Sequence, residues 1–329
     1  MAEKAMIRAK IFSQEKIASQ IYSMWLEAGA IAERAIPGQF VSVYSNDSGR
    51  LLPRPISICE TEPARGALRL VYRVVGKGTA EFAGYQSGDT LDILGPLGNG
   101  FPLERCPEGK TAFLIGGGIG LPPMVELSKR LRGHALIVAG YRDELFLTEE
   151  LAENGELYLS AEDVSLVRRL SSAQNASSAK NAYLMRQASL AVDTALAQGG
   201  SLAGDTASVQ GDSLTQQAAL TKKTEAVSFS GAPCSRITHG NVLDCIRENN
   251  LHADVIYACG PTPMLRALKA YAQENEIECW LSLEQRMACG IGACLGCVCE
   301  STAVDTHSQV RNKRVCKEGP VFAAEDVIL

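Results

Sequence analysis

Four cysteines near the C-terminus offer the clearest chemistry in the sequence. Cys289, Cys294 and Cys297 follow the spacing C-x4-C-x2-C, and Cys316 lies farther along the chain. A plant-type [2Fe–2S] cluster takes three thiolates from one tight loop with this spacing and a fourth from elsewhere. Three glycines permit the close, partly left-handed path of such a loop: Gly290, Gly292 and Gly296. The spacing therefore predicts an iron–sulfur centre.

Two alternatives stay open. A structural zinc site more usually has two C-x2-C pairs, whereas only one clear pair occurs here, so iron–sulfur is favoured. Cys299 competes with Cys316 as the fourth ligand, but a two-iron cage needs one ligand from a different strand, which favours Cys316. Cys299 is then a packed thiol. The remaining cysteines, apart from Cys259, are expected to be small buried apolar residues: Cys59, Cys106, Cys234, Cys245 and Cys279.

A second constellation, in the first 103 residues, is suited to bind a ligand that has both a phosphate group and a ring system. Arg54 lies between two prolines and is therefore held extended, so its guanidinium can offer a fork to a pyrophosphate. Ser57 can offer a hydroxyl to a ring nitrogen, and Gly78 with Thr79 opens a short helix whose free N–H groups favour a phosphate. The candidate residues are Arg54, Pro55, Ile56, Ser57, Val71, Tyr72, Arg73, Gly78 and Thr79.

A third constellation joins two turns. Gly116, Gly117, Gly118 and Gly120 follow an apolar run and precede a helical pattern, although they do not match the dinucleotide fingerprint G-x-G-x-x-G. A second turn, Cys259-Gly260-Pro261, ends another predicted strand. Both turns are expected at the carboxyl edge of one parallel sheet, where a pyrophosphate would bind. The alternative is that these glycines serve packing alone.

The elements that must position these residues fall into three regions. Residues 1–103 show short β-rich runs between Gly and Pro turns, which predicts an antiparallel β-barrel. Residues 104–278 alternate strand, glycine turn and helix, which predicts a nucleotide-binding parallel α/β domain. A low-complexity insertion at about 164–226 interrupts this domain and is expected to be partly mobile. Residues 279–329 form the cluster region. The predicted fold is therefore multi-domain, α+β and α/β.

Composition excludes several other classes. The chain is 46% hydrophobic and 21% charged, which excludes collagen-like and fully disordered proteins. A net charge of −5 gives no general field for nucleic acid or anionic lipid. No stretch of about 18 apolar residues occurs, and the N-terminus lacks the apolar core of a secretory signal. A cytoplasmic location is expected, where reducing conditions favour metal or redox chemistry over disulfides.

Together these motifs resemble the ferredoxin–NADP reductase superfamily. The discriminating segments are Leu283-Glu284-x-Arg286-Met287-Ala288-Cys289, continuing through the cysteine loop, and Val315-Cys316-x-x-Gly319-Pro320. They are similar to the electron-transfer subunits of bacterial type B, NAD-dependent dihydroorotate dehydrogenases. The longer gap between Cys297 and Cys316 and the insertion after Asp163 depart from that family's pattern.

The resemblance implies cofactors, partners and roles. FAD would contact the second constellation, NAD would bind at the two turns, and Cys289, Cys294, Cys297 and Cys316 would hold the cluster. A separate FMN-containing catalytic subunit would oxidise dihydroorotate in pyrimidine biosynthesis, in a heterotetramer with two copies of each subunit, and no acid–base catalytic residue is expected here. Two alternatives are a reductase subunit of another NAD(P)-dependent complex, of the sulfide dehydrogenase, hydrogenase or transhydrogenase type, and a non-enzymatic zinc scaffold.

Overall fold

The N-terminal part of the chain forms the predicted antiparallel β-barrel. The computed structural model describes residues 4–168, 236–304 and 309–329. Six strands close in the order β1-β2-β5-β4-β3-β6, and each neighbouring pair is antiparallel. Their bounds are β1 (Ala5–Ala18), β2 (Ile21–Glu27), β3 (Phe40–Val43), β4 (Arg54–Glu62), β5 (Ala67–Arg73) and β6 (Thr90–Leu97). Two short helices are α1 (Gly29–Ala32) and α2 (Lys77–Phe82).

Alternating apolar residues explain why the barrel closes. Ile11, Leu26, Ile58, Leu70 and Ile93 come from different strands and are all essentially buried in one core. Because successive side chains of a strand point to opposite faces, the intervening positions are left to face solvent or the rest of the molecule. The outer face of β3 and β4 is therefore free to carry a site.

The second layer is the predicted parallel sheet with helices. Its strand order is β10-β9-β8-β7-β11-β12-β15, and every pair is parallel except the last. The strands of this sheet are β7 (Thr111–Gly117), β8 (His134–Tyr141), β9 (Glu156–Ala161), β10 (Arg236–His239), β11 (Val255–Cys259), β12 (Glu278–Ser282) and β15 (Val321–Ala323). The strands β13 (Val298–Glu300) and β14 (Asn312–Arg314) form a separate two-stranded antiparallel sheet. The helices are α3 (Pro122–Arg130), α4 (Thr148–Ala152), α5 (Val242–Glu248) and α6 (Thr262–Glu274).

Burial on both faces explains the apolar run in β7. Phe113, Leu114 and Ile115 have no exposed surface, as expected for a central parallel strand. The helix α6 begins at Thr262, with Pro261 at the cap position and Pro263 in its first turn. No helix in the described ranges is long and apolar enough to cross a membrane.

The C-terminal segment ties the two layers together. The backbone N–H of Asn99, just after β6, donates to the carbonyl of Gly319 at 2.6 Å, and the N–H of Leu283 donates to the carbonyl of Pro320 at 2.9 Å. Gly98 has a φ of +73°, and a Cβ there would come 2.5 Å from the Pro320 ring. Only glycine therefore permits this approach, which brings the cluster region against the barrel.

Two predictions concern residues that lie partly or wholly outside the described ranges. Most of the insertion expected at about 164–226 lies outside the described residues, as does Cys234. The domain boundaries stay predictions, although β12 and β15 belong to the same sheet as the nucleotide-binding strands. The other cysteines expected to be packed are buried, as predicted: Cys59, Cys106, Cys245 and Cys279.

Candidate redox site

The cysteine loop directs backbone N–H groups at sulfur. Ala293 donates to the Sγ of Cys289 at 3.3 Å, Gly296 to the Sγ of Cys294 at 3.4 Å, and the N–H of Cys316 to the Sγ of Cys297 at 3.4 Å. Such donors stabilise thiolates, which are the metal-binding form of cysteine. Two glycines of the loop have positive φ, as the predicted path requires: Gly290 at +68° and Gly292 at +85°.

Hydrogen bonds and charge effects divide the four thiols into two interacting pairs. Burial works to raise the pKa of Cys289, but hydrogen bonds from the backbone of Ile291, Ala293 and Cys294 and from the Cys294 thiol outweigh it and lower that pKa to about 6. Burial, together with the hydrogen bond and charge of Cys297, raises the pKa of Cys316 to about 12, and the charge of Cys289 adds to this. The interacting pairs are therefore Cys289 with Cys294 and Cys297 with Cys316.

Two pairs of thiols fit a two-iron cluster, in which each iron takes two cysteines. Among the residues that the structure describes, no three His, Cys, Asp or Glu side chains are arranged to hold a single metal ion. Cys299 lies on β13 opposite Lys313. It is half-buried and packs against the hydrophobic core on the side of the parallel sheet (the sheet-side core), and burial raises the pKa of its thiol. Hydrogen bonds and charges therefore link Cys289 with Cys294 and Cys297 with Cys316, and the charge of Cys289 also acts on Cys316, whereas Cys299 lies on the strand that leaves the loop.

A cavity of about 740 Å³ lies between the barrel, the sheet edge and the cluster region. A pocket of this size is within the range of small-molecule and cofactor sites. Eight of the nine residues predicted for the second constellation line it: Arg54, Pro55, Ile56, Ser57, Val71, Tyr72, Arg73 and Thr79. The ninth, Gly78, lies against the Arg54 guanidinium, since a Cβ on Gly78 would come 2.7 Å from Nε. The residues predicted to contact FAD therefore share one wall.

The Thr79 hydroxyl is used within its own turn. It accepts hydrogen bonds from the backbone N–H groups of Val75 and Gly76 at 3.0 and 3.2 Å. This contact closes the start of α2 and shapes the cavity wall. Thr79 therefore supports the site through the fold of its turn, in addition to lining the cavity.

Sequence reasoning missed the segment that closes the cavity. Glu284, Gln285, Arg286 and Met287 line it, and Cys289 follows only two residues later. Part of this segment carried the family resemblance, but no pattern within it predicted that it would face a cavity. Phe40, on β3, and Pro320 line the same space. The cavity wall therefore ends two residues before the first cysteine of the cluster loop.

Burial raises the pKa of two acidic groups that line the cavity. Burial raises the pKa of the Glu284 carboxyl, against the lowering effect of the Arg73 charge. Burial and the nearby Glu284 charge raise the pKa of the Cys259 thiol to about 12, against a hydrogen bond with Ser282. Cys259 therefore remains a neutral thiol at physiological pH, and it lines the cavity at the end of β11.

The two predicted turns lie side by side at the carboxyl edge of the sheet, because β7 and β11 are neighbouring parallel strands. A Cβ on Gly120 would collide with the Cys259 carbonyl, and one on Gly260 would come 3.1 Å from the Gly117 nitrogen. Gly116 is similarly covered by Leu121. Close packing accounts for these glycines, whereas Gly118 has a φ of +55° and faces the Arg73 guanidinium.

This packing predicts that Gly120→Ala is destabilising. The new methyl group meets a backbone carbonyl that cannot rotate away. We therefore expect the free energy of unfolding to fall by about 1–3 kcal/mol, measured by urea denaturation. Gly76→Ala is the matched control, because its φ is −171° and nothing lies within 4 Å of the new methyl. Equal stability of the two variants would show that the turns do not pack as described.

Comparison with known proteins identifies both cofactor regions. Residues 284–328 match the model of the iron–sulfur cluster binding domain of dihydroorotate dehydrogenase B, and residues 8–101 match the oxidoreductase FAD-binding domain. A solved structure of an NADH-dependent reduced ferredoxin–NADP oxidoreductase has a TM-score of 0.67 at 22% identity, covering 97% of this chain and 89% of that one. Amycolatopsis cytochrome P450 reductase GcoB has a TM-score of 0.51 at 19% identity, covering 83% and 67%. These two structures show the fold.

Curated relatives show the family. The electron transfer subunit of dihydroorotate dehydrogenase B (NAD(+)) from Bacillus caldolyticus is 35% identical over 328 residues, covering 98% of both chains. The subunits of the same name from Bacillus velezensis and Listeria monocytogenes are 36% and 35% identical, covering 96% and 97% of this chain and 96% and 98% of their own. With full-length similarity and both cofactor-domain matches, the chain belongs to the family of dihydroorotate dehydrogenase B electron transfer subunits.

Proposed function

We propose that this chain carries electrons from a dihydroorotate-oxidising partner, through a [2Fe–2S] cluster and FAD, to NAD. The observation that carries the proposal is that the cavity wall leads into the cysteine loop along the chain, since Met287 lines the cavity and Cys289 follows it by two residues. A cofactor in the cavity and a cluster in the loop would then lie side by side. The names of the full-length relatives agree with this role.

The proposed cluster ligands are Cys289, Cys294, Cys297 and Cys316. Their two-pair grouping and the N–H groups directed at their sulfurs support this assignment. The Arg314 guanidinium donates to the carbonyl of Gly292 at 3.0 Å and pairs with Glu318, which holds the loop against the segment that carries Cys316. Arg314 therefore keeps the fourth cysteine beside the other three.

The proposed FAD site is the barrel wall of the cavity. Arg54 and the start of α2 would hold the pyrophosphate, and Ser57 on β4 would face the ring system. Tyr72 stacks on Tyr22 with ring centroids 6.0 Å apart, and its hydroxyl donates to Gln14 at 3.0 Å, so its ring is held rigidly in the wall. A ring held in this way would support a flat ligand against the wall.

We propose that NAD binds at the side of the cavity formed by the sheet edge, opposite the barrel wall. The turns at Gly116–Gly120 and Cys259–Gly260 reach the cavity through Cys259, and Gly118 leaves space beside Arg73 for an anionic group. A flavin links nicotinamide and cluster because it exchanges either one or two electrons, whereas nicotinamide transfers a hydride and the cluster a single electron. The residues around it provide binding and position rather than acid–base catalysis.

The partner is proposed to be an FMN-containing catalytic subunit, in a complex with two copies of each chain. Its docking surface would include the exposed apolar side chains of the cysteine loop, Ile291, Leu295 and Val298, around the exposed Cys294. A partner covering this surface would approach the cluster directly. A cytoplasmic location is proposed as well, because a reducing compartment keeps these thiols free for metal.

Isolation of the complex from its own host tests the proposal. We expect the chain to co-purify with an FMN protein, to contain iron, sulfide and FAD, and to support NAD-dependent formation of orotate. A partner without orotate formation would favour another NAD(P)-dependent complex. A colourless chain with stoichiometric zinc would reject both redox functions.

A further inference from the structure

The Ser42 hydroxyl is a buried polar group that the proposed function does not use. Ser42 is 1% exposed, and its Oγ has no hydrogen-bond partner within the described residues. Ser160 is the only other residue there with such an atom. Because an unpaired buried hydroxyl is costly, natural proteins nearly always provide it with a partner. The position of Ser42 indicates what that partner is.

The alternation of β3 directs Ser42 away from the barrel interior. Val41 and Val43 lie in the barrel core, whereas Phe40 belongs to the core cluster that also contains Cys297 and Cys316. Since side chains two apart on a strand share a face, Ser42 faces outward with Phe40. Phe40 also lines the cavity, so this face of β3 lies beside both cofactor sites.

The hydroxyl lies against the first turn of the cysteine loop. A Cβ on Gly290 would come 2.5 Å from the Ser42 Oγ, and Gly290 immediately follows Cys289. Its φ of +68° is left-handed. Glycine is therefore needed at 290 both for the left-handed turn and because a side chain there would collide with the Ser42 hydroxyl. Ser42 thus lies next to the Cys289 end of the loop.

We infer that the Ser42 hydroxyl donates a hydrogen bond to a sulfur of the cluster, on the side of Cys289, and thereby raises the reduction potential of the cluster. This inference rests on the cluster site proposed above. Reduction adds a negative charge to the cluster, and a hydrogen bond to sulfur stabilises the more negative state. Ser42 acts as a positioning and tuning residue, and it takes no part in the covalent chemistry.

Potentiometric titration of the holoprotein, followed by the EPR signal of the reduced cluster, tests the inference. In Ser42→Ala we expect the ratio of reduced to oxidised cluster at a fixed potential to fall on the order of tenfold, which is about 59 mV for a one-electron couple. Iron and FAD content should be unchanged. Ser42→Cys keeps a weak donor and should shift the potential less, and Ser160→Ala, which removes the other unpartnered hydroxyl, should leave it unchanged.

A second measurement separates hydrogen bonding from packing. Pulsed EPR of the reduced cluster in H2O and D2O should detect an exchangeable proton in the wild type and in Ser160→Ala that is missing in Ser42→Ala. An unchanged cluster potential with the proton retained overturns the inference, as does a shift in the FAD potential alone. If Ser42→Ala loses iron, Ser42→Cys decides by the same two measurements. A wild-type chain without any cluster signal would overturn the proposed function together with this inference.

Discussion

Cys316→Ser is expected to abolish the cluster while leaving FAD bound. Cys316 is buried, and its backbone N–H and thiol both interact with Cys297 across the loop. A serine oxygen replaces a soft thiolate with a ligand that iron–sulfur clusters do not favour. Loss of an outer-shell partner alone costs about 10- to 100-fold in metal affinity, so loss of a ligand should exceed that. Iron and sulfide analysis, with flavin released by denaturation, measures both cofactors.

Cys299→Ser is the matched control for this prediction. Cys299 lies two residues beyond Cys297, on β13, where it is opposite Lys313 and packs against the sheet-side core. The substitution should leave iron, sulfide and FAD at wild-type levels. If iron falls in the Cys299 variant and not in Cys316→Ser, the fourth ligand is Cys299, and the loop must rearrange when it binds metal.

Arg54→Ala is expected to weaken FAD binding about 10- to 150-fold without changing the iron content. This range corresponds to the loss of a hydrogen bond to a charged group, about 1.5–3 kcal/mol. The Arg54 guanidinium donates to the carbonyl of Leu52 at 2.6 Å and lies against Gly78 at the start of α2. Because these contacts hold it in place before the ligand binds, little conformational freedom is lost on binding. Equilibrium dialysis or the return of flavin fluorescence on dilution gives the affinity.

Arg65→Ala controls for the loss of a positive charge on the same barrel. The Arg65 side chain is 67% exposed and forms an ion pair with Glu62, three residues away. Its removal should leave FAD binding unchanged. Similar FAD affinities for the two variants would contradict the phosphate role of Arg54, and the cavity would then bind its ligand through other residues.

Local patterns were sufficient to predict the barrel, the parallel sheet and the loop of the cluster. A central parallel strand is apolar along its buried length, and 112–115 is. A loop around two irons needs thiolates at short, definite spacing with glycines between them, and 289–297 has both. The candidate residues at 54–57 and 71–73 share one wall because β4 and β5, which carry them, are neighbouring antiparallel strands. These features depend on residues close in sequence or on strand periodicity.

Tertiary structure decided which distant segments meet at the cavity and at the cysteine loop. No local pattern places Glu284 to Met287 in a cavity, directs Ser42 toward Gly290 or brings β15 beside β12. Each depends on contacts between segments more than about 30 residues apart, whose geometry follows from how whole layers pack. Spacing left Cys299 and Cys316 as rivals, and only the folded chain places Cys316 against Cys297. The sequence by itself determined which chemistry is present, whereas packing decided which groups meet, because burial and distance belong to the whole chain.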